Sequence, residues 1–282
     1  MKSFACILVL LIFPAVLFAD NPQKREFFAL CMDTHDTQKR TIDEQNKMLA
    51  ELGFDGVANL WLDKLVERVT SARDLKLNVT QVYFRVDLNK NPSFDPSLKE
   101  ALFCLKGGRT QLALLIYGGQ PSDESLDEKA VGIIREIVNI AESFNVKVVL
   151  YPHVKAWNET VADCVRIAKR FPEKNVGVMF NLCHWVAVDK SENLRKTLEI
   201  AFPYLDCVTI NGTDKPEEVQ SRAGRSGWLQ PLDSGSFNQK QLLVILNELG
   251  YTGPVGLQCY SIPGDAKIHL ERSMKKWCEL NN

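Results

Sequence analysis

Residues 176–185 read "VGVMFNLCHW", an apolar run that ends in an amide, Asn181, with an imidazole, His184, three residues on. That spacing suits a metal-binding or catalytic pair at the end of a strand. An amide in the first place is a poor ligand for a hard cation, which favours carboxylate oxygen. The imidazole titrates near neutrality and can act as a general acid or base. A second imidazole, His153, stands two residues after Tyr151 in "LYPHVK", so the two share a face of an extended segment. Its plainer role would be to end the strand and bond a backbone carbonyl. Lys155 closes the same segment. Asn211 and Asp214 lie in "NGTD", Gln258 and Tyr260 in "QCYS", and Trp228 ends "SRAGRSGW". Amides donate and accept at once, which suits hydroxyl groups of a ligand. Trp61, Trp157, Trp185, Trp228 and Tyr260 offer flat faces for stacking. Asp265 adds a further charge, and Asn211-Gly212 is also an ordinary turn signal.

Such residues do chemistry only if the fold gathers them. Apolar runs of strand type occur at 27–33, 53–61, 79–86, 111–117, 146–152, 176–181, 206–211 and 254–260. Longer stretches with helical spacing separate them, as in Leu65, Val69, Ala72 and Leu75, or Ile133, Ile137, Ile140 and Ala141. Ser236 is the expected N-cap, and Gly250 the expected stop, of the helix in "NQKQLLVILNELGY". Ala266, Leu270, Met274 and Trp277 make one stripe on the last helix. Eight strands, apolar on both phases and each followed by a helix, predict an α/β chain of the (β/α)8 TIM barrel type. An open doubly wound sheet is the alternative, and the GxGxxG it often carries does not follow the first strand. In a barrel the chemistry sits at the C-terminal strand ends, and almost every one of these ends carries a polar or aromatic group.

The chain has 282 residues, enough for one barrel of roughly 250 residues. Residues 20–282 are therefore read as a single domain. A net charge of −1 argues against a nucleic-acid partner. The opening segment has Lys2, an uncharged apolar stretch from Phe4 to Ala19, and Asp20 after it. It reads as a signal peptide over 1–19, which implies a secreted or periplasmic protein with no stable membrane span after cleavage. An uncleaved anchor is the alternative, but the run falls short of the ~20 residues of a spanning helix and contains Pro14. Without Cys6, seven cysteines remain, an odd number without a framework spacing. They read as free thiols, with Cys31, Cys183, Cys207 and Cys259 inside strand-like runs.

The segments "LYPHVKAWNET", "GVMFNLCHW", "VTINGTD", "LQPLDSGSFNQKQLLVILNELGYTGPVGLQCY" and "GDAKIHLERSMKKW" carry a resemblance. The chain resembles the xylose-isomerase-like TIM barrels, the superfamily of sugar phosphate isomerases/epimerases and AP endonuclease 2-type proteins, and within it a secreted branch. Metal-dependent members hold a divalent ion with Glu, Asp, His and Glu at the ends of strands five to eight. The resemblance puts Tyr151, Asn181, Asn211 and Gln258 at those positions. His184 and His153 match family histidines. No cofactor is expected, and Mn2+ or Mg2+ would be held weakly at best, because dipoles replace negative charge. The zinc cluster of the endonuclease members is missing. A phosphate site at Arg222 and Arg225 is one reading of "SRAGRSGW", and an exposed loop is the other. The resemblance implies an isomerase or epimerase, or a lyase, acting on a carbohydrate, a sugar or keto-sugar. His184 and His153 would be its acid and base. Tyr151, Lys155, Asn181, Asn211, Asp214, Trp228, Gln258 and Tyr260 would bind the substrate. A sugar-binding barrel that has lost catalysis is the second reading. No oligomeric state is implied.

Overall fold

In a computed structural model that describes residues 25–281 except residue 174, eight parallel strands close on themselves in chain order. The signal peptide expected over 1–19 lies outside the described residues. The strands are β1 (Phe27–Leu30), β2 (Gly56–Leu60), β3 (Asn78–Asp87), β4 (Gln111–Tyr117), β5 (Lys147–Leu150), β6 (Val176–Asn181), β7 (Leu205–Ile210) and β8 (Val255–Gln258). The seam is β1 on β8, with Phe27 opposite Val255 and Leu30 opposite Gln258. The helices are α1 (Ile42–Glu51), α2 (Leu65–Asp74), α3 (Leu98–Leu102), α4 (Asp127–Glu142), α5 (Val161–Ala168), α6 (Leu182–Val188), α7 (Leu194–Ala201), α8 (Pro216–Ser221), α9 (Gln239–Glu248) and α10 (Ala266–Asn281). This is a (β/α)8 TIM barrel.

Alternation along each strand divides the core in two. Phe27, Ala29, Val82, Phe84, Leu112 and Leu114 face the helices. Phe28, Leu30, Tyr83, Ala113, Leu115 and Met179 fill the barrel. Gly256 on β8 makes room for that filling, since a Cβ there would lie 2.5 Å from the Phe28 ring. The interior also holds polar side chains, and they pair with one another. Gln81 donates to Gln111 Oε1 at 2.8 Å, and Tyr83 Oη donates to Gln81 Oε1 at 3.2 Å.

Local signals set the helix starts. Thr41 and Glu44 form a capping box at α1, and Thr160 and Asp163 form another at α5. Helix α9 corrects the expected cap. Asn238 directly precedes it and accepts from the Gln241 N–H at 3.3 Å. Ser236 lies too far upstream to cap, and its hydroxyl donates to Glu218 Oε1 at 2.8 Å. Gly250 ends α9 with φ of 77°, a conformation that suits glycine. Leu75 falls just past α2 and is exposed, so the buried stripe of that helix rests on Leu65 and Ala72.

Candidate active site

Helix α6 starts where β6 stops, with no loop between. Asn181 is both the last strand residue and the N-cap, and its Oδ1 accepts from the His184 N–H at 3.5 Å. This explains the spacing of three: His184 is the third helical residue, whose backbone N–H an N-cap side chain reaches. With its oxygen committed to the helix, the Asn181 amide turns its NH2 inward and donates to Tyr151 Oη at 2.8 Å. Gln258 repeats the arrangement. Its Oε1 accepts from the Tyr260 N–H at 3.1 Å, and its Nε2 donates to the same Tyr151 oxygen at 3.3 Å.

The phenol oxygen therefore receives two donors. It has two lone pairs and one proton, so that proton points at its third neighbour, His184 Nε2, 3.0 Å away. Nε2 is then an acceptor, and the neutral His184 ring carries its hydrogen on Nδ1. Burial pushes the Tyr151 phenol well above its ordinary value. The hydroxyl remains protonated at neutral pH.

His153 has the other tautomer. Its Nδ1 lies 2.8 Å from the Val154 carbonyl, which only accepts, so Nδ1 holds the hydrogen and Nε2 is the basic nitrogen. The backbone bond considered for this residue is thus present, together with a place at the site. The His153 and His184 ring centroids are 4.0 Å apart, and Tyr151 and Tyr117 flank His153 at 5.8 and 5.9 Å.

A cavity of about 420 Å3 opens over this cluster. Of the residues singled out from sequence, Tyr151, His153, Lys155, His184, Trp228, Gln258 and Tyr260 line it, as does Trp61. The loop after β7 brings in Trp228. Gly212 and Gln230 exchange backbone hydrogen bonds at 3.0 and 2.8 Å, and Trp228 Nε1 donates to the Cys183 carbonyl. The Trp228 ring then stands 5.7 Å from that of His184. Only glycine fits at 212, where a Cβ would lie 1.8 Å from the Pro231 carbonyl oxygen.

Three residues expected to bind substrate do not line the cavity. Asn181 lies behind Tyr151. Asn211 is fully buried, and its Nδ2 donates to the Gly212 and Trp228 carbonyls at 2.6 and 3.0 Å. It braces the loop that carries Trp228. Asp214 pairs with Arg222 and accepts from the Ser236 N–H, so it too holds a loop. Trp157 and Trp185 are core residues, their indole N–H groups bonded to the Asp123 carbonyl and to Asp189. They offer no face to a sugar. Arg222 also pairs with Glu218 and is exposed, in keeping with the loop reading of this stretch.

Sequence reasoning passed over Arg85, Tyr83 and Tyr117, which also line the cavity. The signal was present: Gln81, Tyr83 and Arg85 alternate along β3 on its inward face. The Arg85 guanidinium lies 4.7 Å from the Trp61 ring centroid and 5.5 Å from that of Tyr117. Three lining residues, Cys31, Trp61 and Lys155, adopt left-handed backbone with φ of 56°, 68° and 67°. Such conformations cost on the order of 1–3 kcal/mol each and cluster at functional sites. A larger cavity, about 640 Å3, opens by Glu26, Asn78 and Thr110 at the N-terminal strand ends, the end a barrel devotes to stability.

The donor set does not fit a divalent cation. A cation needs lone pairs, but the amides of Asn181 and Gln258 present N–H groups inward and their oxygens are committed elsewhere. The Tyr151 hydroxyl fills the point on which they converge. Among the described residues no group of three or more His, Cys, Asp or Glu is placed to hold a metal. None of the seven cysteines in the described residues forms a disulfide, and five of them are buried.

A family profile described as xylose isomerase-like TIM barrel matches residues 47–277. No curated protein sequence matches the chain. Among solved structures, D-allulose 3-epimerase from Methylomonas sp. superposes with a TM-score of 0.71 at 13% identity, over 92% of this chain and 99% of that one. A 3-keto-D-glucoside 4-epimerase from E. coli gives 0.68 at 17% identity, over 91% and 99%. The IolI protein with a bound zinc atom gives 0.68 at 15% identity, over 90% and 97%. At these identities the likeness concerns the fold.

Proposed function

We propose, for a chain that belongs to the xylose isomerase-like TIM barrel family, a carbohydrate isomerase or epimerase that moves a carbon-bound proton of a keto-sugar without a bound metal. The observation that carries this is the pair of touching imidazoles in complementary tautomers at one cavity. His153, the more open of the two, presents a basic Nε2 for a proton beside a carbonyl. His184 and Tyr151 form a hydrogen-bonded relay that holds a proton next to it. Trp61, Trp228 and Tyr260 offer apolar faces to the ring, and Gln258 fixes the relay. The chain is further proposed to be exported, because residues 1–19 read as a cleaved leader. N-terminal sequencing of secreted material beginning at residue 20 would agree with that.

The absence of a carboxylate at the four strand-end positions favours a second reading, a sugar-binding barrel without turnover. One experiment separates the two. The protein is incubated with keto-hexoses in D2O containing EDTA, and deuterium entering the carbon next to the carbonyl is followed by NMR. The enzyme reading expects exchange that His153→Ala lowers by about 100-fold or more. Sugar binding without exchange would leave only the second reading.

A further inference from the structure

We infer that the cavity takes an acidic carbohydrate, one bearing a carboxylate or a phosphate, and that Arg85 and Lys155 receive that group. This rests on the carbohydrate reading above and narrows it to a charge class. The residues lining the cavity include two basic side chains, Arg85 and Lys155, and no Asp or Glu. The whole chain carries a net charge of −1, so this excess is local and does not follow from a basic composition. Neither cation is in an ion pair among the described residues. The carboxylates close to them are turned elsewhere. Glu159 accepts the backbone N–H of Lys155 at 2.6 Å, and Asp95, which shares a neighbouring recess with Arg85, accepts from Ser97 at 2.9 and 2.7 Å.

The surroundings of Arg85 are those of a held binding group. Its guanidinium carbon lies over the Trp61 ring at 4.7 Å and the Tyr117 ring at 5.5 Å, contacts that hold the cation at the cavity they both line. Trp61 and Lys155 both stand in left-handed backbone, a conformation a bulky side chain avoids unless its surroundings impose it. A planar fork of donors beside a second positive charge matches the oxygens of a carboxylate or phosphate. Anchored there, the acid group would leave the remainder of the sugar to His153 and Trp228, which line the same cavity.

The test uses the whole mature chain. Binding of glucose, glucuronate, glucose 6-phosphate and malonate is measured by calorimetry or ligand-observed NMR. At least one of the two acidic sugars should bind tenfold or more tighter than glucose, the worth of one charge-assisted hydrogen bond. The stronger of the two distinguishes carboxylate from phosphate. Arg85→Gln should erase the preference, bringing the acidic sugars to the affinity shown by glucose, and circular dichroism checks that the variant is folded. Equal binding of glucose and both acids, or a preference that survives in Arg85→Gln, overturns the inference and leaves the carbohydrate reading intact. Malonate binding that depends on Arg85, with no sugar bound, overturns the carbohydrate reading and keeps the anion site. Binding of none of the four overturns both.

Discussion

Replacing Tyr151 by Phe removes one oxygen and keeps the ring. Three buried groups lose a hydrogen bond: Asn181 Nδ2 at 2.8 Å, His184 Nε2 at 3.0 Å and Gln258 Nε2 at 3.3 Å. A buried polar group without a partner costs about 1–3 kcal/mol, and the longest of these bonds counts least, so a loss of about 3–5 kcal/mol is expected. Tyr83→Phe is the control. It removes a neighbouring phenol whose hydroxyl donates to Gln81 Oε1 at 3.2 Å, and should cost about 1–2 kcal/mol. Urea unfolding followed by circular dichroism and by fluorescence measures both variants, with coincident curves as the check on a two-state treatment. A double-mutant cycle sharpens the comparison. Once Tyr151 is Phe, Asn181→Leu deletes a donor that has already lost its acceptor, so the double variant should be at least about 1 kcal/mol more stable than the sum of the singles implies. A cost for Tyr151→Phe no larger than that for Tyr83→Phe, or strict additivity in the cycle, would refute the idea that one hydroxyl organises this site.

His269 on α10 is buried, with neither ring nitrogen hydrogen-bonded, and burial pushes it down to about 4 from an ordinary 6.5. Below pH 6.5 the unfolded chain takes up a proton that the folded chain refuses, so its contribution falls by about 3 kcal/mol as pH drops to 4 and no further below that. His269→Leu should remove that slope and raise stability at pH 5, as read from denaturant midpoints; an unchanged pH profile would disprove the assignment. Thiol labelling with mapping by mass spectrometry should mark exposed Cys278 first and Cys104 more slowly, while Cys31, Cys164, Cys183, Cys207 and Cys259 wait for denaturant. Cys31 lines the cavity but should still react slowly, because burial pushes its thiol up to about 12. Titration with Mn2+ should reveal no site tighter than roughly millimolar, since no inward-facing carboxylate is available; a stoichiometric micromolar site would contradict the donor orientations described.

The strands were legible because each is buried on both faces and so reads as an uninterrupted apolar run; β4 and β6 match the sequence reading residue for residue. The first run was read too long. Cys31 and Met32 are buried like strand residues, but the chain leaves the sheet at Cys31, where φ turns to 56°. At the site, alternation was enough to bring Tyr151 and His153 together and to place Gln258. It failed for Asn211, which lies one residue beyond β7, where the turn at Gly212 decides the direction of the side chain. Residue type alone also misled at Trp157 and Trp185, because an indole that closes a core and one that walls a pocket look alike until its neighbours are known. Arg85 and Tyr83 were both overlooked although they alternate with Gln81 on the inward face of β3.

The inward donors around Tyr151 also bear on how this barrel can change. A carboxylate-lined, metal-binding version of the same architecture differs at several mutually dependent positions, and none can be altered alone at a profit. Asn181→Asp would replace a donor by a charge in a site only 1% exposed, with no cation to offset it. A buried, unpaired carboxylate costs several kcal/mol or is forced into its neutral form. Tyr151→Glu would bring in a charge and at the same time unseat the relay to His184. Gln258→Glu would set a carboxylate against the Tyr151 oxygen it now donates to. Each single step lowers fitness through stability before any affinity for metal is gained, and the benefit arrives only when several substitutions and the cation coincide. The hydroxyl therefore couples these positions: a substitution at Asn181, His184 or Gln258 breaks a hydrogen bond to it, whereas Arg85 and Lys155 at the cavity mouth make none with it.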